Sequence, residues 1–173
     1  MRDRVDTYTM CETLLQEQLQ WYRLQRHDFF NHFQVIMGYL QLNKPESALS
    51  YLREALKRYE AEQRVNQIPE PHVAAILIGW IVQLRDKGIT AELDIGEISG
   101  DYWEKIWKRE YVPEFYGYTK KCLDLVGGEV GGDLGSGGQK RALIRLYPSQ
   151  QGINCAFVLR DETKVLAEEI WRS

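Results

Sequence analysis

The densest run of chemically capable side chains is the sequence RHDFFNH at residues 26–32. A neutral imidazole exposed on a helix can act as a nucleophile or a general base near pH 7, and His27 is the candidate for that role. Asp28 could fix the tautomer of the imidazole, and Asn31 could orient an incoming group one helical turn later. The guanidinium groups of Arg23 and Arg26 could hold a phosphoryl group through charge-assisted hydrogen bonds.

The spacing places His27 on the polar face of a long helix. At about 100° per residue, that face comprises Gln20, Arg23, His27, Asn31, Gln34 and Gly38. An apolar stripe runs along another face at alternating steps of four and three, broken at Arg26, and comprises Leu15, Leu19, Tyr22, Phe29, Phe33, Ile36 and Leu40. Such spacing is typical of a coiled-coil or bundle seam. His27 is therefore predicted to be exposed on a rigid element.

The chain offers two other histidines, and a surface histidine is most often only a solvated side chain. His32 follows His27 by five residues, about 140° around the helix, so the pair cannot chelate one metal ion as histidines four residues apart can. His72 stands beside two prolines and is interpreted as structural or solvated. We expect no metal site.

Residues 1–66 predict a helical hairpin. One helix is predicted over residues 9–42, and NKPE (43–46) predicts a short turn that opens a second helix. The second helix has its own apolar stripe, which comprises Leu49, Leu52, Leu56 and Tyr59. Because a lone hairpin of this size cannot bury both stripes, we expect a homodimer in which two hairpins form a four-helix bundle.

Residues 67–173 predict a small α/β domain, which makes the fold class α+β. The patterns indicate a helix at 72–87, a strand at 89–95, helical stretches within 101–126, strands at 142–147 and 154–159, and a terminal helix at 164–171. Residues 127–138 hold seven glycines in twelve positions and predict a flexible connection. Within that run, DLGSG (133–137) spells a nucleotide-loop pattern, but it is interpreted as a linker because no ordered elements flank it.

Composition excludes several classes of protein. The chain has 173 residues, is 44% hydrophobic and 27% charged, and carries a formal net charge of −3. This balance predicts no binding to nucleic acid or to a membrane, and no apolar run is long enough to span a bilayer. Three widely spaced cysteines and the absence of a secretory signal favour the cytoplasm. The aromatic residues of 103–118 are assigned to core packing, and so are Cys122 and Cys155.

The segment RHDFFNHFQVIMGYLQL (26–42), followed by SALSYLREAL (47–56), resembles the histidine-bearing hairpin of the sporulation initiation phosphotransferase B family. It is also similar to the phosphoacceptor region of citrate/dicarboxylate-type sensor histidine kinases. In these families the histidine after the arginine is phosphorylated, which implies His27 as the phosphoacceptor. Asp28 and Asn31 match the acid–amide pair that assists phosphoryl transfer or hydrolysis in such families. The resemblance covers roughly residues 10 to 64.

A weaker resemblance relates residues 73–95 to the start of the kinase ATPase domain. FYGYTKKCLDLV (115–126) looks like a remnant of the helix that carries the ATP-binding asparagines, with Tyr118 and Cys122 in their places. The strand FVLR (157–160) leads to DETK (161–164) without the glycines of the nucleotide loop. The resemblance therefore implies a degenerate ATPase-like domain that has lost ATP binding.

These resemblances imply a phosphorelay phosphotransferase in the initiation of sporulation. It would accept a phosphoryl group from a receiver-domain aspartate and pass it to an aspartate of a second response regulator. The chain itself would bind no cofactor, and the receiver would supply Mg²⁺. Two alternatives stay open, namely a soluble sensor-type histidine kinase that still uses ATP, and a non-catalytic dimeric scaffold that docks response regulators.

Overall fold

The computed structural model describes residues 2–130, 139–150 and 152–173. The chain divides into two compact units, Met1–Glu60 and Ala61–Ser173. The sequence places the boundary a few residues later, at 66/67. The difference lies in one short helix, α3 (Glu60–Val65), whose Ala61 and Val65 are buried. An ion pair between Glu62 and Arg85 ties this helix to the rest of the second unit.

The first unit is the predicted helical hairpin. Helix α1 (Arg2–Gln41) is followed by helix α2 (Pro45–Arg58). In the turn between them Asn43 has a φ of 54°, in the left-handed region that asparagine tolerates better than most residues. Pro45 starts α2, where a missing amide proton costs no helical hydrogen bond.

Aromatic and small side chains hold the two helices of the hairpin together. Phe29 of α1 packs against Tyr59, with ring centroids 5.1 Å apart, and Tyr39 contacts Tyr51 across the hairpin. Nδ1 of His32 lies 2.8 Å from the Tyr51 hydroxyl. Ala48 and Ala55 are buried on the inner face of α2, where small side chains allow the helices to approach closely.

Most of the predicted seam lies outside this hairpin contact. Five of its residues are more than half exposed, namely Leu15, Leu19, Tyr22, Phe33 and Leu40. On α2, Leu49, Leu52 and Leu56 are also exposed. By helical angle the exposed stripe of α1 lies between the hairpin contact and the polar face of His27. Each helix of the hairpin therefore presents an uncovered apolar stripe beside its contact with the other helix.

The second unit is a mixed four-stranded sheet with helices. Its order is α4 (Pro71–Asp86), β1 (Thr90–Ile95), α5 (Gly100–Ile106), α6 (Tyr111–Val130), β2 (Arg141–Pro148), β3 (Ile153–Arg160) and β4 (Val165–Trp171). The strands lie in the order β1-β2-β3-β4, with β1 parallel to β2 and the other pairs antiparallel. This arrangement confirms the α+β class and the predicted strands at 89–95, 142–147 and 154–159.

The predicted terminal helix at 164–171 is wrong, because this segment forms strand β4. Leu166, Ala167 and the two glutamates that follow favour a helix in isolation. Here they pair antiparallel with β3, and Trp171 lies opposite Cys155. Trp171 is buried against Phe115 of α6, with ring centroids 5.0 Å apart. Pairing with the open edge of β3 and burial of this indole outweigh the helical propensity of a short segment.

The core of the second unit lies between the sheet and helices α4 and α6. Trp80 of α4 is almost fully buried and packs against Phe157 of β3 and Tyr118 of α6. Helix α4 begins at Pro71, where the Glu70 carboxylate accepts the amide of His72. It ends before Gly88, whose φ of 74° lets the chain turn directly into β1.

Candidate functional site

His27 lies near the middle of α1 and faces solvent. Its side chain is 73% exposed, and the helix continues for several turns on both sides. The hairpin packs through another face of α1, which includes Phe29, His32 and Tyr39, and leaves the imidazole largely exposed. The predicted exposure of His27 on a long helix is confirmed.

Two neighbours approach the same ring nitrogen. Nδ2 of Asn31 lies 3.3 Å from Nδ1 of His27, one helical turn later. Oδ1 of Asp28 lies 3.7 Å from that same nitrogen, and the Asp28 side chain is 41% exposed. Both contacts use Nδ1, and neither uses Nε2 of this largely exposed imidazole. A phosphorus centre could therefore approach Nε2 whenever the imidazole proton lies on Nδ1.

The other predicted site residues lie near His27 on α1 and are exposed. Arg23, Arg26 and Gln34 are exposed on α1. By helical angle Arg23 and Gln34 lie on the polar face, whereas Arg26 lies within the apolar stripe. In the described residues none of the three forms a hydrogen bond or an ion pair with His27. Their role depends on a group that arrives from solution.

The other two histidines have structural contacts. His32 bonds Tyr51 and packs edge-on against Tyr59, which places it in the hairpin contact. His72 Nδ1 lies 2.7 Å from Oε1 of Glu70, as part of the cap of α4. No cluster of three or more histidine, cysteine or acidic side chains suited to a metal ion occurs in residues 2–130, 139–150 and 152–173. The sequence analysis missed the partner of His32, because the sequence carries no signal for a contact across the hairpin. It also missed Glu70 as the partner of His72, although Glu70 lies only two residues away in the chain.

The helix that resembles a remnant of the ATP site is α6. The two positions that correspond to the ATP-binding asparagines lie in the core of the second unit. Tyr118 and Cys122 are buried, and the Tyr118 hydroxyl donates to the carbonyl oxygens of Cys155 and Glu169 at 3.2 and 2.9 Å. Burial raises the pKa of Tyr118, and it raises the pKa of Cys122 to about 12. Burial also raises the pKa of Cys155. All three side chains therefore stay neutral near pH 7. Those of Tyr118 and Cys122 pack against the sheet, and Cys155 is part of strand β3.

The sequence DETK (161–164) forms a tight turn between β3 and β4. Oδ1 of Asp161 accepts the amides of Thr163 and Lys164 and the hydroxyl of Thr163. These hydrogen bonds, chiefly that from the Thr163 amide, lower the pKa of the Asp161 carboxyl, because they stabilise its charged form. The carboxylate thus serves a hairpin turn. The DLGSG string at 133–137 lies outside the described residues.

The aromatic residues of 103–118 mostly pack on one another. Trp103 is buried, and Trp107 contacts Trp103, Phe115 and Trp171 with ring centroids 5.7–6.0 Å apart. The prediction of core packing is therefore confirmed for this cluster. None of the described helices is long and apolar enough to cross a membrane.

Comparison with known proteins shows a similarity in the helical N-terminal region. Residues 9–68 match the family described as "Sensor_kinase_SpoOB-type, alpha-helical domain". The chain is also 29% identical over 97 residues to the sensor protein CitS of Halalkalibacterium halodurans. That match covers 54% of this chain and 18% of CitS, so the chain spans less than a fifth of that relative's length. The exposed His27 lies inside both the matched region and α1, and residues 9–68 are therefore similar to the SpoOB-type alpha-helical domain of sensor kinases.

Proposed function

We propose that this protein is a phosphorelay phosphotransferase that carries a phosphoryl group on Nε2 of His27. The donor is the aspartyl phosphate of a receiver domain, and the acceptor is an aspartate on a second response regulator, in the initiation of sporulation. The observation that carries the proposal is the largely exposed imidazole of His27 on the long helix α1, with the Asp28 carboxylate 3.7 Å from Nδ1. The SpoOB-type match around this histidine supports the same role.

The transfer needs one nucleophile and correct alignment. The lone pair of Nε2 attacks phosphorus in line, the bond from phosphorus to the aspartyl oxygen breaks, and the receiver carboxylate leaves. The imidazole then carries a proton on Nδ1, and the Asp28 carboxylate stabilises that positive charge. Arg23 approaches the phosphoryl oxygens from the polar face, which it shares with Gln34, and Arg26 approaches them from the neighbouring apolar stripe. Mg²⁺ on the receiver neutralises charge in the loose transition state.

The proposal includes a homodimer built on the two uncovered apolar stripes. On α1 the stripe includes Leu19 and Phe33, which are 53% and 61% exposed, and α2 adds Leu49, Leu52 and Leu56. Because both stripes lie beside the hairpin contact, a second hairpin can cover both at once and form a four-helix bundle. The polar face that carries His27 lies beside the apolar stripe of α1. The two copies of His27 therefore stay accessible in such a dimer.

We also propose that the second unit uses no ATP. The positions that resemble the ATP-binding asparagines hold Tyr118 and Cys122, which are buried against the sheet. The turn at Asp161 is closed by its own hydrogen bonds instead of presenting backbone amides to phosphate. The receiver is thus the expected source of the phosphoryl group.

The test is transfer of ³²P from a labelled phospho-receiver, with His27→Gln as the inactive variant and Gln20→Ala as the matched control on the same helix face. We expect acid-labile, base-stable label on the wild type and on Gln20→Ala, and none on His27→Gln. Labelling from Mg·ATP alone would show an ATP-using kinase instead. No labelling from any of several receivers, with receiver binding intact, would show a scaffold and overturn the proposal.

A further inference from the structure

We propose that Asn31 is a positioning residue that holds His27 in the tautomer with its proton on Nε2, in competition with Asp28. In that tautomer Nε2 lacks the in-plane lone pair needed for attack. The inference concerns the resting imidazole, and its meaning for phosphoryl transfer rests on the proposed function. Asn31 would thus restrain the same nucleophile that Asp28 activates.

The chemistry of the two neighbours sets opposite preferences. A neutral imidazole has one N–H and one acceptor nitrogen. The Asn31 Nδ2 group, 3.3 Å from Nδ1, can only donate, so this contact requires a lone pair on Nδ1 and places the proton on Nε2. The Asp28 carboxylate can only accept when ionised, so its approach to the same nitrogen favours a proton on Nδ1. One nitrogen cannot satisfy both neighbours.

The distances show which neighbour holds Nδ1 in this structure. Asn31 lies within hydrogen-bond distance, whereas Oδ1 of Asp28 lies 3.7 Å away, beyond the usual range. The helix causes this difference, because a side chain four residues on lies over the same face and an adjacent one points elsewhere. Since the imidazole is 73% exposed, water screens the Asp28 charge. The tautomer equilibrium of the resting imidazole therefore favours Nε2–H, the form that accepts from Asn31. The preference is only as large as the net free energy of one exposed hydrogen bond.

A hydrogen bond of that kind shifts an equilibrium by about two- to fivefold. Removing the Asn31 donor is therefore expected to raise the ratio of Nδ1–H to Nε2–H tautomers by about this factor. Asp28→Asn removes the ionised acceptor and is expected to lower the same ratio. A residue that merely supported the helix would change stability and leave the tautomer ratio where it was.

The measurement is the pair of imidazole ¹⁵N chemical shifts in ¹⁵N-histidine-labelled protein at about pH 9, where a free imidazole is neutral. The chain has three histidines, so His27→Gln assigns the signal. We expect Nδ1 of the wild type to appear mainly as an acceptor nitrogen and Asn31→Ala to move toward Nδ1–H, with Gln20→Ala unchanged. An unchanged ratio in Asn31→Ala, or a shift toward Nε2–H, would overturn the inference.

A second measurement tests reactivity without any receiver. Phosphoramidate phosphorylates histidine when the imidazole lone pair attacks phosphorus, the P–N bond breaks and ammonia leaves. We expect its initial rate at His27, followed through the His27 NMR signal, to rise about two- to fivefold in Asn31→Ala. An equal or lower rate would overturn the restraining role. If no receiver ever donates a phosphoryl group, the proposed function fails while both of these measurements still decide the inference.

Discussion

The hydroxyl of Tyr118 on α6 donates a hydrogen bond of 2.9 Å to the backbone carbonyl of Glu169 on β4. The same hydroxyl lies 3.2 Å from the carbonyl of Cys155 on the neighbouring strand β3. One buried side chain thus joins a helix to two strands of the sheet. The ammonium group of Lys121 on α6 also pairs with the Glu169 carboxylate at 2.9 Å.

Tyr118→Phe is expected to lower the free energy of unfolding by about 1–2 kcal/mol, because two buried carbonyls lose their common donor. The ring contacts with Trp80 and Phe115 remain, so the fold should be kept. Urea unfolding checks the loss, and Tyr111→Phe serves as a control with a half-buried ring on the same helix. Equal stability of wild type and Tyr118→Phe would refute the role of the hydroxyl.

Leu19→Asp and Phe33→Asp should each convert the proposed dimer to a monomer. Burying an apolar side chain of this size contributes about 1.5–3 kcal/mol, and a dimer contains two copies. The dissociation constant should therefore rise at least about 100-fold, measured by sedimentation equilibrium. Gln20→Asp introduces the same charge on the polar face and should leave the dimer intact. A stable dimer in both seam variants would exclude this interface.

Gly88→Ala should destabilise the second unit by about 1–2 kcal/mol, because alanine disfavours a left-handed backbone conformation. The φ of Gly88 is 74°. A Cβ there would meet no atom within 4 Å, so the cost is conformational. Gly117→Ala is the matched control, because it lies within helix α6 and its Cβ would also be unobstructed. That variant should be about 1 kcal/mol more stable than the wild type. Thermal unfolding of both variants checks the opposite signs.

The thiols of Cys122 and Cys155 should resist alkylation at pH 8 in the native protein. Burial raises both pKa values, that of Cys122 from 9.0 to about 12, so the reactive thiolate is scarce. Since the unfolded thiols lose their protons first, stability should be unaffected below about pH 8 and should fall as pH rises above about 9. Maleimide labelling and urea unfolding across this pH range check both expectations in a Cys11→Ser background. Rapid native labelling at pH 8 would contradict the burial.

The sequence predicted those features that local spacing determines. The apolar period of α1 predicted both a long helix and an exposed His27, and a spacing of one turn predicted that Asn31 lies beside it. The contact of His32 with Tyr51 could not be predicted from the sequence, because it depends on how the two helices align across a turn. Strand β4 was missed for a related reason, since its partner β3 and the burial of Trp171 decide its conformation. Local propensity carries no information about either.

Strand β1 pairs with β2 across a long stretch of chain, with Thr90 opposite Arg141, whereas β2, β3 and β4 follow one another directly. Joining segments about fifty residues apart costs roughly 2 kcal/mol more loop-closure free energy than closing a short turn. Contacts of this separation also slow folding. We therefore expect the three C-terminal strands to assemble first and then to capture β1. During synthesis, β1 would leave the ribosome before its partner strand β2, which lies in the last fifth of the chain.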